Sequence, residues 1–412
     1  MAPNVSIRDL LDSLFEREAS DLILSAGAAP AFRVDGHLVP DSDHHLSGED
    51  TDRLIRELLA PQQRIAFAEH HTVDFSFQWG ERGRIRGNAF RQRGSVAVAL
   101  RAIPTHIPSF SELLLPKAVG ELARAPHGLV LCTGPTGSGK STTQASLIDA
   151  INEEQARHII TIEDPIEYLH SNKRSVIEQR EVGVDTPSFA NALRSALRED
   201  PDVVLVGEMR DLESISMALT VAETGHLVLG TLHTNDAAQA VHRMVDVFPE
   251  GQQQQIRVQL GSALVAIVHQ ELLPRIGGGR VAAFEVLVAT PAVKNLIRDN
   301  KIGQLRNVMA TSSNVGMCTL EAALGWLVRA GMVRKADAIA RSAYPNEVMS
   351  QAAPYLSTPI EEPEPAGDYR GLLRAATAAP VRHAEVTGVP SGPPPVLDNP
   401  GRQSDRARPR QR

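Results

Sequence analysis

Cysteine is almost missing from this chain, with Cys132 and Cys318 the only two in 412 residues. That excludes a disulfide framework and a four-cysteine zinc site, and both thiols are expected to be buried. Aromatic residues make up only 4% of the sequence, which leaves few platforms for stacking bases of a single strand. Apolar runs are short as well. Ala263 to Val268 is far below the roughly 20 residues that a bilayer-crossing helix needs, and the first residues carry acids where a secretory leader is apolar. A cytoplasmic protein is expected. The net charge of −7 argues against a surface that coats nucleic acid, while leaving a local basic groove open. What remains is 42% apolar and 22% charged, in a chain long enough for two or three globular domains.

One stretch is unusually informative. Residues 134 to 142 read Gly134-Pro135-Thr136-Gly137-Ser138-Gly139-Lys140-Ser141-Thr142, between an apolar strand (Gly128 to Cys132) and a helix-competent segment (Ser141 to Asn152). This is a complete phosphate-binding loop, so the chain is expected to bind ATP. Glycines at 134, 137 and 139 let successive backbone N–H groups turn inward around phosphates, at the positive end of a helix dipole. Lys140 supplies charge to the β- and γ-phosphates, and the Ser141 hydroxyl is the natural ligand for Mg²⁺.

Organisation along the chain predicts an α/β protein in two parts. Ile7, Leu10, Leu11, Leu14 and Phe15 repeat at helical spacing behind a Ser6 cap. Strands follow at Asp21 to Ser25, Ala31 to Val34 and His37 to Pro40, the last two joined by the Asp35-Gly36 turn dipeptide. After a helix beginning at Ser47, alternation at Val73, Phe75 and Phe77 and the stretches Arg84 to Arg91 and Ser95 to Arg101 give an antiparallel meander. Residues 1–101 therefore read as an N-terminal α+β domain. Prolines at 104, 108 and 116 mark 102–116 as a stiff linker or hinge outside the core. Residues 117–345 alternate strands and helices, as a parallel sheet covered on both faces requires, with strands Gly128 to Cys132, His158 to Ile162, Val203 to Val206 and Leu227 to Thr231. The remainder, 346–412, is expected to be a Pro-rich disordered tail, and its closing arginines suit an anionic lipid or acidic partner or simply solvent.

Ligands of open parallel sheets bind beyond the carboxyl ends of the strands, and each predicted strand here runs into a polar cluster at that end. The first enters the phosphate loop, the second reaches Glu163-Asp164-Pro165, the third Gly207-Glu208 and the fourth Thr231-Leu232-His233. Glu208 is positioned to act on the attacking water, on a magnesium-bound water, or on both; Glu163 is the other candidate base, and spacing does not rank them. His226 and His233 flank the fourth strand and are candidate sensors of the γ-phosphate, with a metal pair as the alternative. Arg194 and Arg198, four apart in a predicted helix from Phe189 to Glu199 whose buried face includes Leu197, suit phosphates, a neighbouring subunit, or a solvated pairing with Glu199. Arg82, Arg84, Arg86, Arg91, Arg93 and Arg101 crowd the first domain, either as a nucleic-acid surface or as arginines reaching another subunit's triphosphate.

These stretches together resemble the secretion ATPase superfamily, and within it the PilT-type retraction ATPases of type IV pili. The resemblance covers about residues 5 to 345. It rests on Ala19-Ser20-Asp21-Leu22 with Arg33-Val34-Asp35-Gly36, the phosphate loop, Thr161-Ile162-Glu163-Asp164-Pro165-Ile166-Glu167-Tyr168, Leu197-Arg198-Glu199-Asp200-Pro201-Asp202, Gly207-Glu208-Met209-Arg210-Asp211, and Thr224-Gly225-His226 through Thr231-Leu232-His233-Thr234. It implies a hexameric ring of PAS-like and RecA-like domains, with nucleotide between them. It also implies interfacial arginines at Arg86, Arg101, Arg194 and Arg198. The implied partner is the inner-membrane platform protein of a pilus, met at the cytoplasmic face, with paralogous pilus ATPases as companions and no nucleic acid. Ala292-Val293-Lys294-Asn295-Leu296-Ile297-Arg298-Asp299 is similar to the retraction-specific motif, with Lys294 and Asp299 where Arg and Glu are usual. The absence of a longer N-terminal region and of a four-cysteine insert favours retraction over pilus extension or type II secretion. A RecA-like nucleic-acid translocase and an ATP-gated scaffold are the other classes considered.

Overall fold

A computed structural model describes residues 5–34, 37–80 and 82–349. The Asp35-Gly36 turn and most of the proline-rich tail, residues 350–412, lie outside the described residues.

The chain begins with a helix, Ile7–Glu16, whose Ser6 side chain accepts the Asp9 N–H and whose Ile7, Leu10, Leu11 and Leu14 are buried. It packs on a sheet of six antiparallel strands: β1 (Asp21–Ser25), β2 (Ala31–Val34), β3 (His37–Pro40), β4 (Thr72–Trp79), β5 (Gly83–Gln92) and β6 (Ser95–Ala102), in the order β3-β2-β1-β6-β5-β4. A helix at Gly48–Leu58 starts with a reciprocal cap between Ser47 and Asp50. The following helix, Pro61–His70, has no counterpart among the predicted elements. Only Phe67 of it is buried, so its sequence shows no apolar stripe.

A second sheet has seven strands: β7 (Gly128–Thr133), β8 (His158–Glu163), β9 (Val176–Glu181), β10 (Val203–Val206), β11 (Leu227–Leu232), β12 (Leu264–Pro274) and β13 (Arg280–Val288). Their order is β13-β12-β7-β11-β10-β8-β9, and all neighbours are parallel except β12 and β13. Strands β7, β10 and β11 are buried from end to end, as expected of a sheet with apolar layers on both faces. The α/β class with an antiparallel sheet followed by a mainly parallel one is therefore as the sequence implied.

Three strands of this sheet were not legible. Strand β9 reads Val-Ile-Glu-Gln-Arg-Glu, because an edge strand needs little apolar side chain. Strand β12 follows the helix Glu250–Ala263 with no intervening loop, so no turn signal separates them. Segment 103–116 holds no helix or strand, as its prolines require, yet it is not free of the core. Leu115 is buried, Phe110 and Leu113 pack beside it, and Ser146 Oγ donates to the Pro108 carbonyl at 2.6 Å. The stiff linker is thus tied down along its second half.

Candidate nucleotide site

The phosphate loop leaves β7 and enters the helix Lys140–Glu154 through Gly139, whose φ of +93° is a left-handed conformation that glycine adopts without strain. A second constraint comes from β12. A Cβ at Gly134 would lie 2.4 Å from the Gln270 carbonyl oxygen, and one at Gly139 would lie 2.6 Å from Gln270 Nε2. Gln270 also accepts a 2.8 Å hydrogen bond from the Thr143 hydroxyl, so one buried residue lies against both ends of the loop, by its backbone at Gly134 and by its side chain at Gly139 and Thr143. Lys140 Nζ donates to the carbonyls of Gly134 and Pro135, each at 2.9 Å, and burial lowers its pKa against the opposing pull of Glu208. Ser138 Oγ is buried without a hydrogen-bond partner among the described residues. A glycine cradle, a buried ammonium and an orphaned hydroxyl fit a polyphosphate.

Strands β7, β8, β10 and β11 deliver their carboxyl ends to the same place. A cavity of about 1100 Å³ is lined there by Lys140, Ser141, Glu163, Glu208, Thr231 and His233, and also by Arg101 of β6 and by Ser20, which immediately precedes β1. The convergence expected from spacing is present.

The two carboxylates differ in company. Glu208 Oε1 contacts Arg210 and lies 3.2 Å from His233 Nε2. Glu163 has no cationic partner among the described residues; Thr161 Oγ1 donates to its Oε1 at 2.7 Å and Gln179 Nε2 at 3.2 Å. Burial raises the Glu163 pKa, and those two donors only partly oppose it. His233 is held below the ordinary imidazole range by burial first, then by Lys140.

His226 is not brought to this site. It precedes β11, so the whole strand separates it from the phosphate end, and its Nδ1 lies 3.0 Å from the Val221 carbonyl and 3.1 Å from Thr224 Oγ1. Adjacency to a strand in the sequence does not say which end of the strand carries the ligand.

The arginines divide. Arg101 lines the cavity, with its Nε 2.7 Å from Asp21 Oδ1, and Arg86 is its exposed cross-strand neighbour with no ion pair among the described residues. The expected helix to Glu199 stops at Ala196, so Arg198 lies beyond it and Leu197 is 36% exposed rather than buried. Arg194 pairs with Glu213, while Glu199 takes Arg180 at 3.2 Å. Neither Arg194 nor Arg198 reaches the cavity of its own chain. In the first sheet Arg82 pairs with Asp12 and Glu16, Arg84 with Glu181, and Arg91 lies over the Phe67 ring, so most of the arginine cluster is committed.

Sequence reasoning missed Gln270, Thr143, Gln179 and Thr161 around the loop and Glu163, and Arg275 and Arg280 at the cavity wall. The one available signal was the polar His269-Gln270-Glu271 interruption of an apolar run.

Comparisons with known proteins identify the family. The family model for type II/IV secretion system protein matches residues 115–278. A Pseudomonas aeruginosa protein named type IV pilus retractation ATPase PilT is 45% identical over 341 residues, 83% of this chain and 99% of that one. The chain belongs to this family of ATPases. A Neisseria gonorrhoeae twitching motility protein is 48% identical over 326 residues, covering 79% of this chain and 87% of its own. Among solved structures, the pilus retraction motor PilT with bound ADP superposes with a TM-score of 0.79 at 50% identity, over 84% of this chain and 100% of that one. The Legionella pneumophila ATPase DotB, at 28% identity, gives 0.72 over 82% and 95%. The helix Pro291–Arg298 packs on Glu250–Ala263, and Lys294 Nζ donates to the Ser262 carbonyl at 3.2 Å. No helix of the described residues is long and apolar enough to cross a membrane.

Proposed function

We propose that this chain is a ring-forming motor that couples ATP hydrolysis to rotation between residues 1–101 and residues 117–345, with 102–116 as the connection, and that its load is a type IV pilus being retracted. The observation that carries the reading is the shared cavity. Ser20 and Arg101 of the N-terminal part line the same space as Lys140, Glu163 and Glu208 of the part that follows. A ligand that touches both halves biases the angle between them, and losing its terminal phosphate changes that bias.

Residues 134–142 would wrap the phosphates, with Lys140 at the β- and γ-positions and Ser141 as the side chain that holds Mg²⁺. Once bound, the ion would neutralise charge developing on the phosphates. Glu208, in contact with Arg210 and His233, would orient water beside the bound ion. Glu163, buried and without a cation, accepts the proton of the attacking water. His233 reports the γ-phosphate through Glu208. Arg86, Arg101, Arg194 and Arg198 contact nucleotide or a neighbouring subunit in a homohexamer. The mechanical partner is the pilus platform protein at the cytoplasmic face of the inner membrane, with paralogous pilus ATPases as further companions. The retraction name of the relative at 45% identity supports this direction of force, and the twitching-motility name of the relative at 48% is consistent with it. Deleting the gene tests it: accumulated, unretracted surface fibres are expected, and bald cells would instead point to an extension motor.

A further inference from the structure

We infer that Gln179 is a positioning residue that fixes the Glu163 carboxylate so that one oxygen faces the cavity. The inference rests on reading Glu163 as the proton acceptor. Strands β8 and β9 run parallel with Thr161 opposite Gln179 and Glu163 opposite Glu181, so these four side chains share one face of the sheet. Register alone therefore brings two hydrogen-bond donors, the Thr161 hydroxyl and the Gln179 amide, to Glu163 Oε1.

The amide has only one workable orientation. Gln179 Oε1 accepts the His170 N–H at 2.9 Å, while Nε2 donates to the Tyr168 carbonyl at 2.9 Å and to Glu163 at 3.2 Å. Turned over, its NH₂ would meet an N–H, and its oxygen would meet a carbonyl and a carboxylate. Two backbone partners thus set the direction of the third bond. Glu163 Oε1 is committed to two donors, whereas among the described residues Oε2 meets only the Glu167 N–H at 3.5 Å and keeps lone pairs for a water in the cavity. Donors to the charged form also offset the burial that favours a neutral, useless acid. Strand β9 is an edge strand, paired only with β8, and two residues further on Glu181 is held by Ser76 and Arg84 of the first sheet. That anchor steadies the strand bearing the amide.

The test is a two-by-two set of the purified full chain: wild type, Gln179→Met, Glu163→Gln and the double variant. Methionine keeps the length and removes the amide. Gln179→Met should lower kcat about 10- to 100-fold with KM for ATP and Kd for ADP within about twofold. In the Glu163→Gln background it should cost nothing more. Wild-type kcat in Gln179→Met, an equal fold loss in both backgrounds, or a loss carried by KM would each overturn the inference. Full turnover in Glu163→Gln alone would remove the proton-acceptor reading, and this inference with it. A required Glu163 beside an indifferent Gln179 would remove only the inference. Should Gln179→Met melt early, Gln179→Glu keeps the size and sets a carboxylate against Glu163; it should lose at least as much kcat, and wild-type turnover there is equally fatal.

Discussion

Gly139→Ala and Gly134→Ala should both damage the phosphate loop, but only the first should be repaired by Gln270→Ala. At Gly139 the added methyl would lie 2.6 Å from the end of the Gln270 side chain, at φ +93°. At Gly134 it would lie 2.4 Å from the Gln270 backbone oxygen, at φ +140°. The backbone conformation costs roughly 1–2 kcal/mol and the overlap roughly 1–3 kcal/mol, so each single variant should lose about 2–5 kcal/mol. Gln270→Ala leaves the buried Thr143 hydroxyl without its acceptor, a loss of about 1–3 kcal/mol. Combined with Gly139→Ala it also deletes the clashing amide, so the double variant should be better than the sum of the singles by about 1–3 kcal/mol. Combined with Gly134→Ala it returns nothing, because truncating a side chain leaves the carbonyl in place. Urea unfolding at constant m-value reads the stabilities, and ADP titration should follow the same order, about tenfold per 1.4 kcal/mol. Strict additivity in both cycles, or rescue at 134, would refute the account of what shapes the loop.

Other outcomes follow from the site. Glu208→Gln should abolish hydrolysis while ADP affinity persists, and unchanged turnover in a phosphate-release assay would strip Glu208 of its role. Burial lifts the Glu285 carboxyl from 4.5 to about 7, so the native state keeps a proton that the unfolded chain releases above pH 4.5. The associated stability is full below that value and drains away as pH rises to about 7; Glu285→Gln should gain on wild type by up to about 3 kcal/mol between pH 5 and 8, and parallel stability curves would contradict this. Arg194→Ala breaks an exposed pair with Glu213 and an exposed hydrogen bond to Asn191 Oδ1, and should move chain stability by less than about 1 kcal/mol, while lowering turnover if its place is a subunit boundary; calorimetry and a steady-state assay separate the two.

Contiguous features were the legible ones. The phosphate loop, the capped first helix and the buried strands β7, β10 and β11 each carry their cause within a few residues, as a glycine pattern, a serine cap or an apolar run. Glu163, Glu208 and His233 could be expected together because each closes a strand of one parallel sheet. Gln270 and Gln179 could not, since each acts across a strand pairing whose register is invisible before folding. His226 shows the reverse error: adjacency in the chain placed it with His233, although a strand's two ends face opposite sides of the molecule. Leu197 was assigned to a buried stripe because the periodicity continued, whereas the helix did not.

The meeting of Ser76 and Arg84 with Glu181 has a consequence for how often the molecule can work. An oily seam of comparable size would have to expose its apolar area each time it opened, at about 25 cal/mol per Å². These three groups can instead trade one another for water, since a rewetted carboxylate and guanidinium recover in hydration most of what they lose in contact. Under the proposed rotation such a seam would serve as a clasp rather than a weld, undone and refastened with little wasted work, which is what a repeating machine requires of a joint.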